Sequence, residues 1–279
     1  MMSSATNPSL QSARASVRPW FRQAAVALAL VLGSLSPAAS QSTTYEPSVG
    51  QAGKDVVWVP TPETLVQKML DIAKVTPQDY LIDLGSGDGR TVIAAAKRGL
   101  KAHGIEYEPQ MVELAKVRAR DAGVADRATF EKADLFESDF SKATVITMFL
   151  LPSINEKLRP TILNLKPGTR IVSNSFTMGE WKADETATAS DCSNYCTALL
   201  WIVPAKVEGT WRLGDQDLKL AQEFQMLSGT LGTAPISNAR MTGNDISFTA
   251  NNVAYRGTLS GNTLSGTRDG SARWSATKR

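Results

Sequence analysis

Apolar and polar positions along this chain change their spacing in a regular way. The run Thr64-Leu65-Val66-Gln67-Lys68-Met69-Leu70-Asp71-Ile72-Ala73 places its apolar residues on one helical face. Residues 80–84 then form a short apolar strand stopped by glycines, and residues 91–99 return to helical spacing with an alanine-rich face and a glycine stop. The same alternation predicts strands over 101–107, 128–133, 144–151 and 169–176, with helices over 109–123 and 153–165. Strands that are almost wholly apolar and alternate with helices predict an α/β fold with a parallel sheet covered on both faces. Ligands of such sheets bind at the carboxyl ends of the strands, so the residues that end strands one to four carry the chemical interest.

From about residue 206 the helical period fades. Ile246-Ser247-Phe248-Thr249 and Val253-Ala254-Tyr255-Arg256-Gly257-Thr258 have a two-residue period, and turn signals such as Thr242-Gly243-Asn244-Asp245 and Gly261-Asn262 separate such runs. This predicts a compact antiparallel β module over 206–279, a barrel or sandwich of seven or eight strands. Leu227-Ser228-Gly229-Thr230 and Leu264-Ser265-Gly266-Thr267 echo each other, over too short a span to make a repeat.

The first forty residues have a different character. Arg14, Arg18 and Arg22 are their only charges, and they precede an apolar run over 24–32 that Gly33 and Pro37 break. Ala38-Ala39-Ser40 then offers small residues before Gln41, so residues 1–40 are expected to be a signal peptide directing export to the periplasm or beyond. A retained membrane anchor is the alternative, but spanning takes about 20 apolar residues, roughly twice this run, so no membrane span is expected after cleavage. Residues 41–56 are polar with glycine and proline, and are expected to be a linker to a domain over 57–205.

Charge then excludes one class of partner. The 279 residues carry 30 basic and 27 acidic side chains, and without the three leader arginines the counts are 27 each. The basic pI of 8.8 therefore does not point to nucleic acid, and none is expected as a partner. One histidine and two cysteines cannot assemble a multi-histidine or structural zinc site, so no metal is expected. His103 falls at the start of the second strand, the wrong end of the sheet for catalysis, and is expected to be structural.

The strongest signal is Leu81-Ile82-Asp83-Leu84-Gly85-Ser86-Gly87-Asp88-Gly89-Arg90. Glycines at alternate positions after a strand let the backbone turn sharply and approach a ligand closely. The spacing departs from the dinucleotide fingerprint, and no Gly-Lys-Ser/Thr loop is present. Asp83 would repel a diphosphate but suits a ligand bearing an ammonium group. Glu106 ends the next strand, where a carboxylate can accept from both hydroxyls of a ribose. Asp134 ends the third strand and, with Leu135, is placed to meet the edge and face of an adenine. Each acid alone reads as a solvated strand end; together with the glycine loop they indicate a nucleoside site.

On these residues, 57–181 resembles a class I S-adenosylmethionine (SAM) dependent methyltransferase. It is most similar to the c-subunit lysine methyltransferases of ATP synthase and their bacterial relatives. Val59-Pro60-Thr61-Pro62, the glycine loop running into Ile93-Ala94-Ala95-Ala96-Lys97, Leu150-Leu151-Pro152, Lys166-Pro167-Gly168-Thr169-Arg170 and Met178-Gly179-Glu180-Trp181 carry the similarity. The resemblance implies a Rossmann-like seven-stranded sheet, SAM as cofactor, and transfer of a methyl group to an amine of a protein or peptide, with lysine the expected acceptor. It implies that Asp83 and the backbone of Gly85, Ser86, Gly87 and Gly89 hold the methionine end. Glu106 would hold the ribose, and Asp134 with Leu135 the adenine. Phe149, Leu151 and Pro152 would border the methyl-transfer channel as the catalytic positions, although Met148, Phe149 and Leu150 can also be read as core.

Such transfer is an in-line displacement from a sulfonium, in which the enzyme chiefly positions and desolvates. Lysine must be neutral to react, which at pH 7 costs about 4.6 kcal/mol from its reference pKa, and no dedicated base is visible. Class I folds close with an antiparallel pair, here expected over 186–191 and 197–203. Cys192 and Cys196 would flank its turn and, in an oxidising compartment, form a disulfide. Trp201, Trp211 and Trp274 are expected in the core. The leader and the β module depart from the resemblance. They keep open a non-catalytic nucleoside-binding protein that works through its β module and, ranked lower, an aminopropyltransferase.

Overall fold

A computed structural model describes residues 45–279, and the signal peptide expected over residues 1–40 lies outside the described residues. Helices α1 (Glu63–Ile72), α2 (Arg90–Lys97), α3 (Pro109–Asp121) and α4 (Pro152–Ile162) alternate with β1 (Tyr80–Leu84), β2 (Lys101–Glu106), β3 (Ala128–Lys132), β4 (Val145–Met148) and β5 (Arg170–Asn174). With β6 (Glu185–Thr188) and β7 (Thr197–Ile202), the sheet has seven strands in the order β3-β2-β1-β4-β5-β7-β6. Strands β1 to β5 pair in parallel, and β7 runs antiparallel to both β5 and β6. The chain reverses its direction of travel across the sheet between β1 and β4, which opens a crevice at their carboxyl ends.

The apolar strand runs are explained by two cores, one on each face. Leu81, Val145 and Val172 pack with Leu65, Val66 and Leu70 of α1. Their neighbours Ile82, Ile146 and Ile171 point the other way and pack with Leu158 and Ile162 of α4. The strand expected over 144–151 ends at Met148. Pro152 opens α4, and Leu151 before it is extended (φ −62°, ψ 152°), as a residue preceding proline prefers.

The module after residue 206 is a closed up-and-down barrel. Its strands are β8 (Gly209–Leu213), β9 (Gln216–Glu223), β10 (Met226–Leu231), β11 (Ala234–Pro235), β12 (Ser237–Thr242), β13 (Asp245–Ala250), β14 (Val253–Ser260), β15 (Thr263–Arg268) and β16 (Ala272–Lys278). Strands β11 and β12 share one edge of β10, and β9 pairs with the other edge to close the ring. Full closure leaves no sheet edge exposed. The interior is filled by side chains: Phe248 and Tyr255 stack at 4.6 Å, and both meet Trp274 edge-on. Trp211 and, in the seven-stranded sheet, Trp201 are also buried.

Gly229 on β10 has φ +141°, and an added Cβ would overlap the Lys219 carbonyl oxygen of β9. Gly229→Ala is therefore expected to destabilise the chain by roughly 2–3 kcal/mol through strained backbone and a broken β9–β10 contact. Urea unfolding followed by tryptophan fluorescence checks this, and an unchanged midpoint would contradict it.

The barrel is seated against α4 and the segment before β6. Phe224 stacks on Trp181 and lies under the Arg159 guanidinium. Asp184 is buried at this joint, where it accepts from the Ile202 amide at 2.8 Å and from Gln225, and pairs with Arg240. Burial pushes its carboxyl upward from the usual range, and these partners offset part of that rise.

Candidate cofactor and acceptor site

Three elements build the floor of the site. The loop after β1 turns on Gly85, Gly87 and Gly89, with φ of 75°, 51° and 81°, values that side chains rarely adopt. The amides of Gly85 and Ser86 both donate to the Ile105 carbonyl, at 2.9 and 3.0 Å, which ties the loop to β2. Asp88 is buried and takes Arg90 Nε at 3.0 Å and Nη2 at 2.7 Å, together with Arg118. Burial alone would raise its carboxyl, but these two guanidinium groups hold it below the usual range. Arg90, which also donates to the Thr61 carbonyl at 2.9 Å, is thereby committed to structure.

A cavity of about 390 Å³ lies across the carboxyl ends of the strands. Its lining follows the sheet order: Asp134 and Leu135 after β3, Glu106 and Tyr107 at β2, Asp83, Gly85 and Ser86 at β1, Phe149 to Leu151 after β4, and Phe176 after β5. Residues 51–61, which begin within the expected linker, line it from above. A small hairpin there pairs Ala52 with Val57, and the Trp58 indole lies over Gly87.

The acids are held in different ways. Asp83 is fully enclosed, and Thr147, its register partner on β4, donates to Oδ1 at 2.6 Å. Burial, aided by the nearby Glu106 and Asp88 charges and only partly offset by Thr147, pushes the Asp83 carboxyl up to about 7. Glu106 accepts from the Gly87 amide at 2.8 Å through Oε2 and from the Glu108 amide at 2.9 Å through Oε1. Each oxygen thus keeps acceptor capacity for a ligand hydroxyl. Asp134 accepts from the Phe136 amide at 2.9 Å and is paired with Lys54. The Lys54 hydrogen bond, helped by that amide, holds the Asp134 carboxyl low, and the same contact holds Lys54 protonated above its usual range.

Not every expected site residue reaches the cavity. Asp83, Gly85, Ser86, Glu106, Asp134, Leu135, Phe149 and Leu151 line it. Gly87 lies beneath Trp58 and contributes its amide to Glu106. Gly89 caps α2 and lies within van der Waals reach of Ala115 and Phe130, so it serves helix packing. Pro152 is an exposed first residue of α4 and stands outside the lining, because its fixed φ is used to start the helix. His103 contacts Thr129 at 2.8 Å, away from the cavity. Lys54, Trp58, Tyr107, Thr147, Phe176 and Tyr195 join the site without being expected there from sequence.

The residues fit SAM. The lining has the chemistry for it: the Asp83 carboxyl stands at the glycine loop for an ammonium group, and Glu106 keeps acceptor capacity on both oxygens for a ribose. When bound, SAM supplies an electrophilic methyl group on a sulfonium. Here Asp83, Gly85 and Ser86 would hold its methionine end, Glu106 its ribose, and Asp134, Leu135 and Tyr107 its adenine.

Fold and site together define a class I SAM-dependent methyltransferase. Residues 83–185 match the ANTKMT methyltransferase domain. A protein-lysine N-methyltransferase of Saccharolobus islandicus is 43% identical over 151 residues, covering 53% of this chain and 94% of its own. The ATP synthase c-subunit lysine N-methyltransferase of Mus musculus is 38% identical over 107 residues, covering 38% of this chain and 43% of its own length. A Salinibacter ruber RNA methyltransferase, solved with S-adenosyl-L-homocysteine (SAH), is 46% identical with a TM-score of 0.50, covering 53% of this chain and 96% of its own. The chain belongs to the ANTKMT methyltransferase family, with a barrel added beyond the matched domain.

Proposed function

We propose that this protein methylates lysine side chains of other proteins and that it acts after export. The observation that carries the acceptor assignment is the character of the cavity beyond Asp83. There Phe149, Leu150, Leu151, Ile154, Phe176 and Tyr195 make an apolar, aromatic approach to the methionine end. Such a passage suits the aliphatic stem of lysine and strips water from its amine, which favours the neutral, nucleophilic form. The lysine N-methyltransferase relatives of Saccharolobus islandicus and Mus musculus support the same acceptor. Export is supported by the arginines and apolar run of the first forty residues.

The Salinibacter relative makes RNA the competing acceptor. Lys54 and Arg90 are the basic residues lining the cavity, and both are paired with carboxylates, which leaves little to neutralise phosphates. Radiolabelled SAM offered to total protein and to total RNA of the host separates the two. Label is expected in protein and should be recovered as Nε-methylated lysine after acid hydrolysis. Label confined to RNA, or incorporated into neither, would reject the proposal. No helix among the described residues is long and apolar enough to cross a membrane.

A further inference from the structure

Three aromatic rings meet at the acceptor end of the cavity, and each comes from a different element. Phe149 follows β4, Phe176 follows β5, and Tyr195 belongs to the turn between β6 and β7. The ring centroids of Phe149 and Phe176 are 5.8 Å apart, those of Phe149 and Tyr195 5.1 Å, and those of Phe176 and Tyr195 5.7 Å. They pack as a continuous wall. A cation is attracted to a ring face within about 6 Å of the centroid, so one ammonium resting on this wall is within reach of all three.

Tyr195 is the least expected of the three. It is 43% exposed, and its backbone has φ +55°, an uncommon conformation for a bulky side chain. Two features hold it there. The Cys192–Cys196 disulfide closes the turn around it, and the Ser175 amide donates to the Thr197 carbonyl at 2.7 Å, which ties the end of β5 to the start of β7. Strain of this kind persists where surrounding structure over-determines it, commonly at ligand contacts.

We propose that Tyr195, positioned by the Cys192–Cys196 disulfide, completes with Phe149 and Phe176 a recognition wall for the methylated lysine ammonium that each transfer to the neutral amine leaves behind. This rests on the lysine reading of the acceptor. A methylated ammonium loses hydrogen-bond donors with each transfer, and a quaternary one keeps none, so ring faces are the surface that can still hold it. Tyr195 is thus a specificity-determining residue, and the two cysteines are positioning residues.

The test uses SAH-saturated protein and two probes: Nα-acetyl-Nε-trimethyl-lysine methylamide, and its neutral isostere with a tert-butyl group in place of the trimethylammonium. The charged probe is expected to bind at least about five-fold tighter than the isostere. That preference should vanish in Tyr195→Ala, persist in Tyr195→Phe, and fall in the Cys192→Ser/Cys196→Ser double variant. SAH titration of the same samples reports folding, because Tyr195 lies at the acceptor end of the cavity. Equal binding of the two probes, or a preference that survives Tyr195→Ala, would overturn the wall. Either result would leave the lysine reading standing if label still enters lysine. A Tyr195-dependent preference alongside label confined to RNA would support the wall as a cation site while the lysine reading fails.

Discussion

Glu106→Ala is expected to weaken SAH binding, measured by calorimetry, by about two to three orders of magnitude. The argument rests on how the carboxylate is held. The amides of Gly87 and Glu108 each donate to one of its oxygens, so its orientation is set before any ligand arrives. A carboxylate offers about four acceptor sites, and Glu106, which lines the cavity, has the remainder left for the two hydroxyls of a ribose. Each hydrogen bond to a charged group contributes about 1.5–3 kcal/mol, and each 1.4 kcal/mol is a factor of ten in affinity. Glu106→Gln is not a mild substitution here. One of its two terminal atoms becomes an NH2, which would face the Gly87 or Glu108 amide donor, so a large loss is expected there too. Near-UV circular dichroism from the buried tryptophans serves as the folding control, since Glu106 belongs to neither sheet core. Affinity within a few-fold of the wild type in the Glu106→Ala variant would remove Glu106 from the cofactor site.

What can be read in the sequence follows the range of the forces involved. Strands β1 and β4 are buried by helices on both faces, so nearly every position is apolar and the parallel sheet is legible from local pattern alone. The glycine loop is legible because its backbone angles exclude other residues, and Glu106 and Asp134 because strand ends are predictable from strand runs. Thr147 carries a subtler signal: a hydroxyl in the otherwise apolar Val-Ile-Thr-Met strand needs a buried partner, and register supplies Asp83. Tyr195 and Trp58 carry none. They reach the cavity from the disulfide-closed turn Ser193-Asn194-Tyr195 and from the short Val57-Trp58-Val59 run, neither long enough to show a period that aims a side chain at the site. Their roles come from tertiary placement against residues distant along the chain, Phe149 for one and Gly87 for the other. The barrel is legible as a class, since two-residue periods and turns predict closure or stacking equally. The β9–β10 pairing that decides for a barrel sets Gly229 against the Lys219 carbonyl oxygen, and in sequence Gly229 is only one position of the Leu227-Ser228-Gly229-Thr230 run.

Asp83→Asn is expected to do two opposite things, and the pH dependence separates them. The folded-state carboxyl sits at about 7 against an ordinary value of 3.8, chiefly because burial disfavours its charge. A carboxyl raised on folding leaves the native state holding a proton that the unfolded state has lost. Stability is therefore full below about pH 4, falls as pH rises toward 7, and levels above it. The gap corresponds to a ceiling of about 4 kcal/mol, at 1.36 kcal/mol per unit. Asparagine removes that titration and still offers a carbonyl oxygen to the Thr147 hydroxyl, so the fold loses no hydrogen bond. Urea unfolding should show the two proteins matched near pH 4 and the variant more stable by a few kcal/mol at pH 8. Cofactor binding should move the other way. In the wild type, SAH affinity is expected to rise with pH up to about 7, as ionised Asp83 becomes available to its ammonium group, whereas the variant should be weaker and nearly flat over that range. Parallel stability curves for the two proteins would show that burial does not govern Asp83. Divergent stability with unchanged SAH affinity would show instead that the acid is buried for a reason other than the cofactor. A group this costly to ionise in an enclosed site marks a candidate for binding that gains from its charge, and Asp83 lines the cavity beside the glycine loop, at the end where the ammonium group of SAM would sit.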